Sequence, residues 1–386
     1  MRKFDKDRAI LGVAAPVLAV VGALVVTALV LLATGKEPFH AFNVMVDYGS
    51  KSDSQVYILN KATTYYLAGL AVAVGFRMNL FNIGVDGQYR LAAFFAAAVG
   101  GALSLPGVIQ IPIIILTSMV VGAAWAAIAG VLKVTRGVSE VISTIMLNSL
   151  AGIVIGYFLR DGKLGHTDKD ANMVSTTPLP SSSHLFNFHP ANTDPIVGFI
   201  VFAVLAGVIY WFVLSRTRFG FDLRAVGRSE SAAEASGVSV KKMVVTSMLI
   251  SGAMAGLVGM PTLLNQSYEY GTDFPTGIGF TGIAVALLGR NNPIGIGVGA
   301  VLWAFLERAS SGLEFEGYDQ EIVGVIQGVI VLAVVIAYEL VRRYGLTRQQ
   351  RQVGAELAAA AGPPPPGGPG GSDGRDGNDD KQEVTA

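Results

Sequence analysis

Apolar residues gather in ten stretches along the chain, approximately 9–33, 62–76, 88–105, 111–132, 141–159, 195–214, 243–260, 276–289, 294–312 and 322–341. A helix rising 1.5 Å per residue needs about 20 apolar residues to cross a hydrocarbon core. Four of the stretches are shorter than 19 residues. The pattern predicts an all-α integral membrane protein, a polytopic bundle of about ten transmembrane helices, some of them short or broken.

Two interruptions carry the most information. In GFTGIAVALLGRNNPIG (279–295) an apolar stretch stops at Gly289–Pro293 and another begins at once. Nearer the N-terminus, MNLFNIGVDGQ (78–88) separates two further stretches. Backbone freed inside a membrane must find partners in protein or in a water-lined cavity. A matched pair of short, interrupted segments therefore points to a solute pathway. No clean internal repeat accompanies the pair.

Lysine and arginine orient the bundle by the positive-inside rule. With the N-terminus placed in the cytoplasm and the stretches alternating, only Lys36, Lys51, Lys61, Arg160, Lys163 and Lys169 fall outside. Arg308 lies within a stretch, and the other 21 of the 28 fall inside. Both termini are then cytoplasmic. The expected organisation is a cytoplasmic N-terminus over 1–8 and a transmembrane domain over 9–341. That domain holds an extracytoplasmic loop at 160–194 and a cytoplasmic loop at 215–242. A tail over 342–386, with PPPPGGPGG and SDGRDGNDDKQ, is too polar and proline-rich to bury a core and is expected to be disordered. The run Ala9–Ala33 is longer than the core of a signal peptide, so an uncleaved first span is expected.

Composition agrees. Hydrophobic residues make up 52% and charged residues 15%, against about 25% charge in soluble domains. Net charge is zero, so no basic excess marks a nucleic-acid partner, and membrane lipid is the expected surrounding. Without cysteine there is no disulfide, thiolate metal site or thiol nucleophile. His40, His166, His184 and His189 lack metal-ligand spacing. There is no G-x-x-x-x-G-K-[ST] loop and no nucleophile–base pair, so no enzyme site and no bound cofactor are expected in this chain.

Candidate residues cluster in a few places. Asn79, Asn82, Asp86 and Gln88 offer amides and a carboxylate at the first break, beside the rings of Phe76 and Phe81. They would hydrogen-bond a polar solute, or Asn82 and Asp86 would cap the next helix in a turn at the inner surface. In VSEVISTIMLN (138–148), Glu140 suits a helix start, while Thr144 and Asn148 share one face. They would line a pathway or bond a neighbouring helix. Phe280–Leu288, before the second break, is a candidate cavity lining. Ser229–Ser236, closed by Gly237, reads as a short cytoplasmic helix whose small residues suit docking into a protein groove. Glu307 and Arg308 are either functional intramembrane charges or interfacial ones. Gly152/Gly156, Gly252/Gly256 and Gly324/Gly328 are spaced for close helix packing.

Together FNIGVDGQ, VSEVISTIMLN, RFGFDLRAVGRSESAAEASG and GFTGIAVALLGRNNPIG resemble the membrane permeases of bacterial ABC importers. That group includes simple-sugar and branched-chain amino-acid permeases. The resemblance covers roughly residues 60–340 with the motifs in order, and is greatest to the nucleoside branch. Asp86 departs from the glutamate more usual there, which keeps the charge and shortens the reach. The resemblance implies a nucleoside importer subunit in the bacterial cytoplasmic membrane. It implies a second, related permease chain, separate ATP-binding subunits that use ATP and Mg, and an extracytoplasmic substrate-binding lipoprotein. It implies a substrate pathway drawn from Asn79, Phe81, Asn82, Asp86, Gln88, Thr144, Asn148 and Phe280. Coupling to the ATPase would run through Arg224, Ser229, Glu230, Ala232, Ala233, Glu234 and Gly237. A simple-sugar permease, an ion-coupled carrier working alone and a non-transporting scaffold remain as alternatives.

Overall fold

The computed structural model describes residues 35–168 and 173–318 without interruption, and isolated positions within 21–33 and 324–343. The segment expected at 1–8, all but residue 343 of the tail 342–386, and most of the stretches 9–33 and 322–341 lie outside the described residues. The other eight apolar stretches all fall on helices.

Helix α1 (Pro38–Ser50) starts on a proline at its first position, where a missing N–H costs nothing. Extended Lys51 turns the chain into α2 (Ser52–Phe76). After the first break come α3 (Val85–Ala102), α4 (Gly107–Arg136) and α5 (Glu140–Phe158). Two small antiparallel pairs follow, β1 (Gly165–Asp168) with β2 (Met173–Thr176) and β3 (Asn187–Phe188) with β4 (Ile196–Val197). Helix α6 (Ile200–Arg216) bends by 71° into α7 (Arg218–Arg228), and α8 (Glu230–Ala235) is next. Helix α9 (Val240–Gly256) continues through a 3-10 turn, one α-turn and a π-turn to Ser267, a rod of 28 residues. Then come α10 (Ile278–Leu288) and α11 (Pro293–Phe315).

Among the described residues, α4, α5 and the Val240–Ser267 rod are each long and apolar enough to cross a membrane, and bent α6–α7 makes a fourth. Helices α2, α3 and α11 are long but more polar. The reason is their position. Helix α2 is packed by α9, α10, α11 and α6, and nearly every residue from Ala62 to Gly75 is buried. A helix shielded by other helices need not be uniformly apolar, so hydropathy finds only its last 15 residues. The connection 34–61, which the stretches 9–33 and 62–76 leave as a loop, is instead helical through α1 and the first three turns of α2. The 160–194 loop likewise carries strands, and α7 adds a helix to the 215–242 loop.

Lipid is as apolar as leucine, so helices here associate through close packing more than through water release. The tightest pair is α4 with the α9 rod. Gly122 faces Gly252 and Gly256 so closely that a Cβ on any of the three would overlap the opposing backbone. Gly252/Gly256 thus packs as its spacing predicts. Gly152 and Gly156 instead face open space on α5, among exposed Ile145, Met146 and Ile153.

Candidate functional site

The first break re-enters the bundle. Helix α2 ends at Phe76, and the chain turns through Asn79 in a left-handed conformation, φ 55°. It then climbs back beside α2 until Asn82 bonds Ser251 (2.8 Å), whose hydroxyl donates to the Ala71 carbonyl (2.7 Å). Ala71 lies five residues before Phe76, about 8 Å along the helix axis. Helix α3 therefore begins inside the protein. The Asn82 and Gln88 amides bond each other reciprocally at 2.9 Å, and the Asn82 oxygen also accepts from Gly84 N–H. Both side chains are almost completely buried. Asn148 closes the far side, accepting from Gly87 N–H (2.8 Å) and donating to the Ile83 carbonyl (3.0 Å). Thr144 bonds back to the Glu140 carbonyl within α5. Glu140 pairs with Lys133 at the end of α4 (2.6 Å).

Helix α10 starts against this junction. Asp86 accepts from Gly279 N–H (3.3 Å) and faces Arg90 at 3.9 Å. A carboxylate at a helix N-terminus is favoured by the unpaired N–H groups there. Gly279 lies so near the Asp86 backbone that no Cβ fits between them. The Tyr89 hydroxyl donates to the Pro275 carbonyl just ahead of α10 (2.7 Å). The N-terminal ends of two interrupted helices thus meet inside one bundle.

The second break is a tight turn at the end of α10. Arg290 and Asn291 are both left-handed (φ 54° and 55°), Asn292 caps Ile294 N–H (3.0 Å), and Pro293 opens α11. The Asn291 carbonyl accepts two N–H groups of Arg77 (2.7 and 3.2 Å) and the Tyr210 hydroxyl (2.9 Å). One guanidinium at the end of α2 therefore ties the two breaks together.

The third partner at this end of the bundle is the 215–242 loop. Thr217 caps α7, Ser229 caps α8 and Ser239 caps α9. Gly237, at φ 82°, ends α8. Arg224 donates to the Leu214 carbonyl across the α6–α7 bend. The Asn79 side chain donates to the Gly227 carbonyl (2.7 Å), which seats the end of α7 on the first break. Helices α7 and α8 and the start of α9 frame a groove of about 1090 Å³. Arg224, Ser229, Ala232, Ala233 and Gly237 line it, while Glu230 and Glu234 are exposed outside it. Ala233 is the one buried residue of α8.

The structure thus brings Asn82, Asp86, Gln88, Thr144 and Asn148 together at one junction, and sets Asn79 against α7. Phe81 and Phe280 are half-exposed on the outside of the bundle, with Phe81 against Phe76 (5.1 Å between rings). Arg77, Tyr210, Ser251, Gly279 and Gly227 complete the arrangement and were not singled out from the sequence. Each partners a residue more than 80 positions away, which no local pattern reports. Elsewhere, Glu307 accepts from the Tyr57 and Tyr65 hydroxyls and lies 3.9 Å from Lys61, while Arg308 bonds Ser54. Among the described residues, no group of three or more His, Cys, Asp or Glu is placed to hold a metal ion.

Residues 54–335 match the family described as branched-chain amino acid transport system / permease component. Over 84% of its length the chain is 35% identical to a guanosine ABC transporter permease protein of Bacillus subtilis, covering 93% of that protein. It is 32% identical to a glucose ABC transporter permease protein of Haloferax volcanii, covering 90% of this chain and 93% of that one. A nucleoside ABC transporter permease protein of Lactococcus lactis is 31% identical, over 84% of this chain and 90% of its own. A second guanosine permease protein of B. subtilis and a second nucleoside permease protein of L. lactis also match, at 27% and 24% identity. No solved structure matches the chain. A matched span of this length, on a bundle of apolar helices, means that the chain belongs to the branched-chain amino acid transport system / permease component family and is a multi-pass permease of the cell membrane.

Proposed function

We propose that this chain is the permease subunit of an ATP-binding-cassette importer that moves nucleosides across the cytoplasmic membrane. The observation that carries the reading is the link from Asn79 to Gly227 and from Arg77 to Asn291. Through it, movement of the exposed α7–α8 loop reaches both breaks. ATPase subunits, using ATP and Mg, dock in the α7–α8 groove on the cytoplasmic side. Arg224, Ser229, Ala232, Ala233 and Gly237 meet them directly, with Glu230 and Glu234 at the rim. An extracytoplasmic substrate-binding lipoprotein delivers the solute from the strand-bearing side.

A second permease chain completes the pathway, and the paired permeases of B. subtilis and L. lactis support a related chain in that place. The organisation is that read from the sequence: about ten spans over 9–341, both termini cytoplasmic and a tail over 342–386. The amides of Asn82, Gln88 and Asn148 and the Thr144 hydroxyl hold the junction, because their hydrogen bonds are already made within the chain. Phe81 and Phe280, half-exposed, face the shared pathway. Asp86 holds α10 at its starting end.

Names given to two of the three relatives favour nucleosides, and the H. volcanii protein keeps a simple sugar as the second reading. The exposed α8 helix has no use in an ion-coupled carrier working alone. Uptake of labelled guanosine, uridine and glucose in a deletion strain carrying the complete transporter tests the reading. Guanosine or uridine uptake that needs this chain is expected. Nucleoside uptake unaffected by the deletion overturns it.

A further inference from the structure

A guanidinium stands deep in the bundle with its hydrogen-bonding capacity mostly unused. Helix α3 starts beside Ser251 and Ala71, about 8 Å in from the end of α2. Arg90 lies five residues past that start, about 8 Å deeper, and twelve residues before Ala102 at the outer end, about 18 Å away. Its place is therefore near the middle of a hydrocarbon core about 30 Å thick. Yet its side chain is 25% exposed. A charge facing acyl chains at that depth is heavily penalised. Intramembrane charges face protein or a water-filled path, and they mark solute routes.

Arg77 shows what a structural guanidinium looks like in this chain, giving two N–H groups to one carbonyl at 2.7 and 3.2 Å. Arg90 is held loosely by comparison. Its Nη1 stands 3.9 Å from Asp86 Oδ2, beyond hydrogen-bond distance, and the other oxygen of that carboxylate accepts from Gly279 N–H. Its Nε is enclosed without an acceptor. Asp86 and Arg90 are four residues apart, on the face of α3 that meets the start of α10. The surface around that meeting point is open. Phe280, the residue after Gly279, is half-exposed, and Thr276 just ahead is exposed. The Tyr270 hydroxyl stands beside the guanidinium, its ring stacked on Phe274 (4.4 Å).

We propose that Arg90 is a solute-contacting, specificity-determining residue of the pathway, whose Nη groups donate to two adjacent acceptors on the base of a nucleoside in transit. The inference rests on the reading of the chain as a nucleoside importer, and it adds a base preference to that reading. A guanidinium is a planar fork of donors with no acceptor. The O6/N7 edge of guanine or hypoxanthine sets two acceptors side by side and takes such a fork at both points. Adenine sets an N6 donor beside N7, which opposes the fork and suits a glutamine amide instead. A monosaccharide has no such edge. Phe280 offers a ring face to the same solute.

The test is an exchange of preference, read as uptake in a deletion strain carrying the complete transporter. The natural chain is expected to import guanosine and inosine with a KM at least five-fold below that for adenosine. Arg90→Gln is expected to shift the ratio of the guanosine and adenosine KM values at least ten-fold toward adenosine. Arg90→Lys keeps a charge beside Asp86 and loses the fork. It is expected to raise the guanosine KM at least five-fold with the maximal rate retained, and it carries the test if Arg90→Gln fails to fold. Because the chain has no cysteine, Phe280→Cys supplies a single thiol next to the Asp86–Gly279 contact. A membrane-impermeant methanethiosulfonate is expected to label it, and saturating guanosine to slow that labelling at least five-fold. Equal changes for guanosine and adenosine in both Arg90 variants, in a strain whose natural chain imports guanosine, assign Arg90 to folding alone. That result overturns the inference and leaves the importer reading intact. A thiol at 280 that stays unlabelled while guanosine is imported overturns it as well. Nucleoside uptake indifferent to the deletion overturns the importer reading itself.

Discussion

The two helix breaks look alike in sequence, each a short apolar run ending in glycine and asparagine, yet the chain heals them by opposite means. At the first, side chains do the work. Asn82, Gln88, Ser251 and Asn148 close around re-entrant backbone deep in the bundle. At the second, the backbone does it. Arg290 and Asn291 adopt left-handed turns, and it is the Asn291 carbonyl, not its amide, that Arg77 and Tyr210 hold. The lesson is that an asparagine in a membrane break is not thereby a ligand group. Depth decides. Where the break lies inside the protein, water cannot satisfy freed N–H and C=O groups, so side chains are recruited. At the bundle's end a tight turn is enough.

This contrast sets the scale of several substitutions. Asn82→Leu is the most damaging, since it strands the Gln88 amide and the Gly84 N–H in a buried site. Each unsatisfied group costs about 1–3 kcal/mol, so a loss of about 2–5 kcal/mol is expected. Thermal unfolding of the detergent-purified protein should show it, with little folded protein recovered. Arg77→Met comes next. It removes both bonds to the Asn291 carbonyl and the tie between the breaks, at about 1.5–3 kcal/mol for bonds from a charged donor. Uptake is expected to fall at least ten-fold while the protein still reaches the membrane, as a surface-expression assay would show.

Asn79→Ala cuts one partly exposed bond to Gly227, about 0.5–1.5 kcal/mol. Its expected signature is a few-fold loss of transport with ATP hydrolysis by the assembled complex maintained. Loss of both together would mean that Asn79 serves folding and not coupling. Asn291→Gly closes the series. Glycine relieves the left-handed conformation and keeps the carbonyl that Arg77 uses, so stability should change by less than about 1 kcal/mol in either direction. A large loss on Asn291→Gly, comparable with Asn82→Leu, would erase the distinction between the breaks.

Much of this was legible in the chain. The eight described apolar stretches all lie on helices, both breaks are real, and Ser229 to Gly237 carries a capped helix at its expected place. The misses share a cause. Helix α1 and the first turns of α2, with Asn60 and Lys61, read as loop because hydropathy measures contact with lipid and α2 faces protein. Glu307 read as either interfacial or intramembrane, since its tyrosine partners lie some 240 positions earlier. The roles of Asn82 and Gln88 were open for the same reason. An amide that binds its neighbour and an amide that waits for a solute are the same letter, and only Ser251, 169 residues away, separates them.

The single guanidinium between the breaks has a consequence for exchanging parts between permeases. A segment such as 279–292 cannot be transplanted alone, because its turn must present a carbonyl at the height that the end of α2 dictates. Chimeras that swap it should work when residues 76–82 travel with it and fail otherwise, so the two segments form one unit of inheritance although two hundred residues part them.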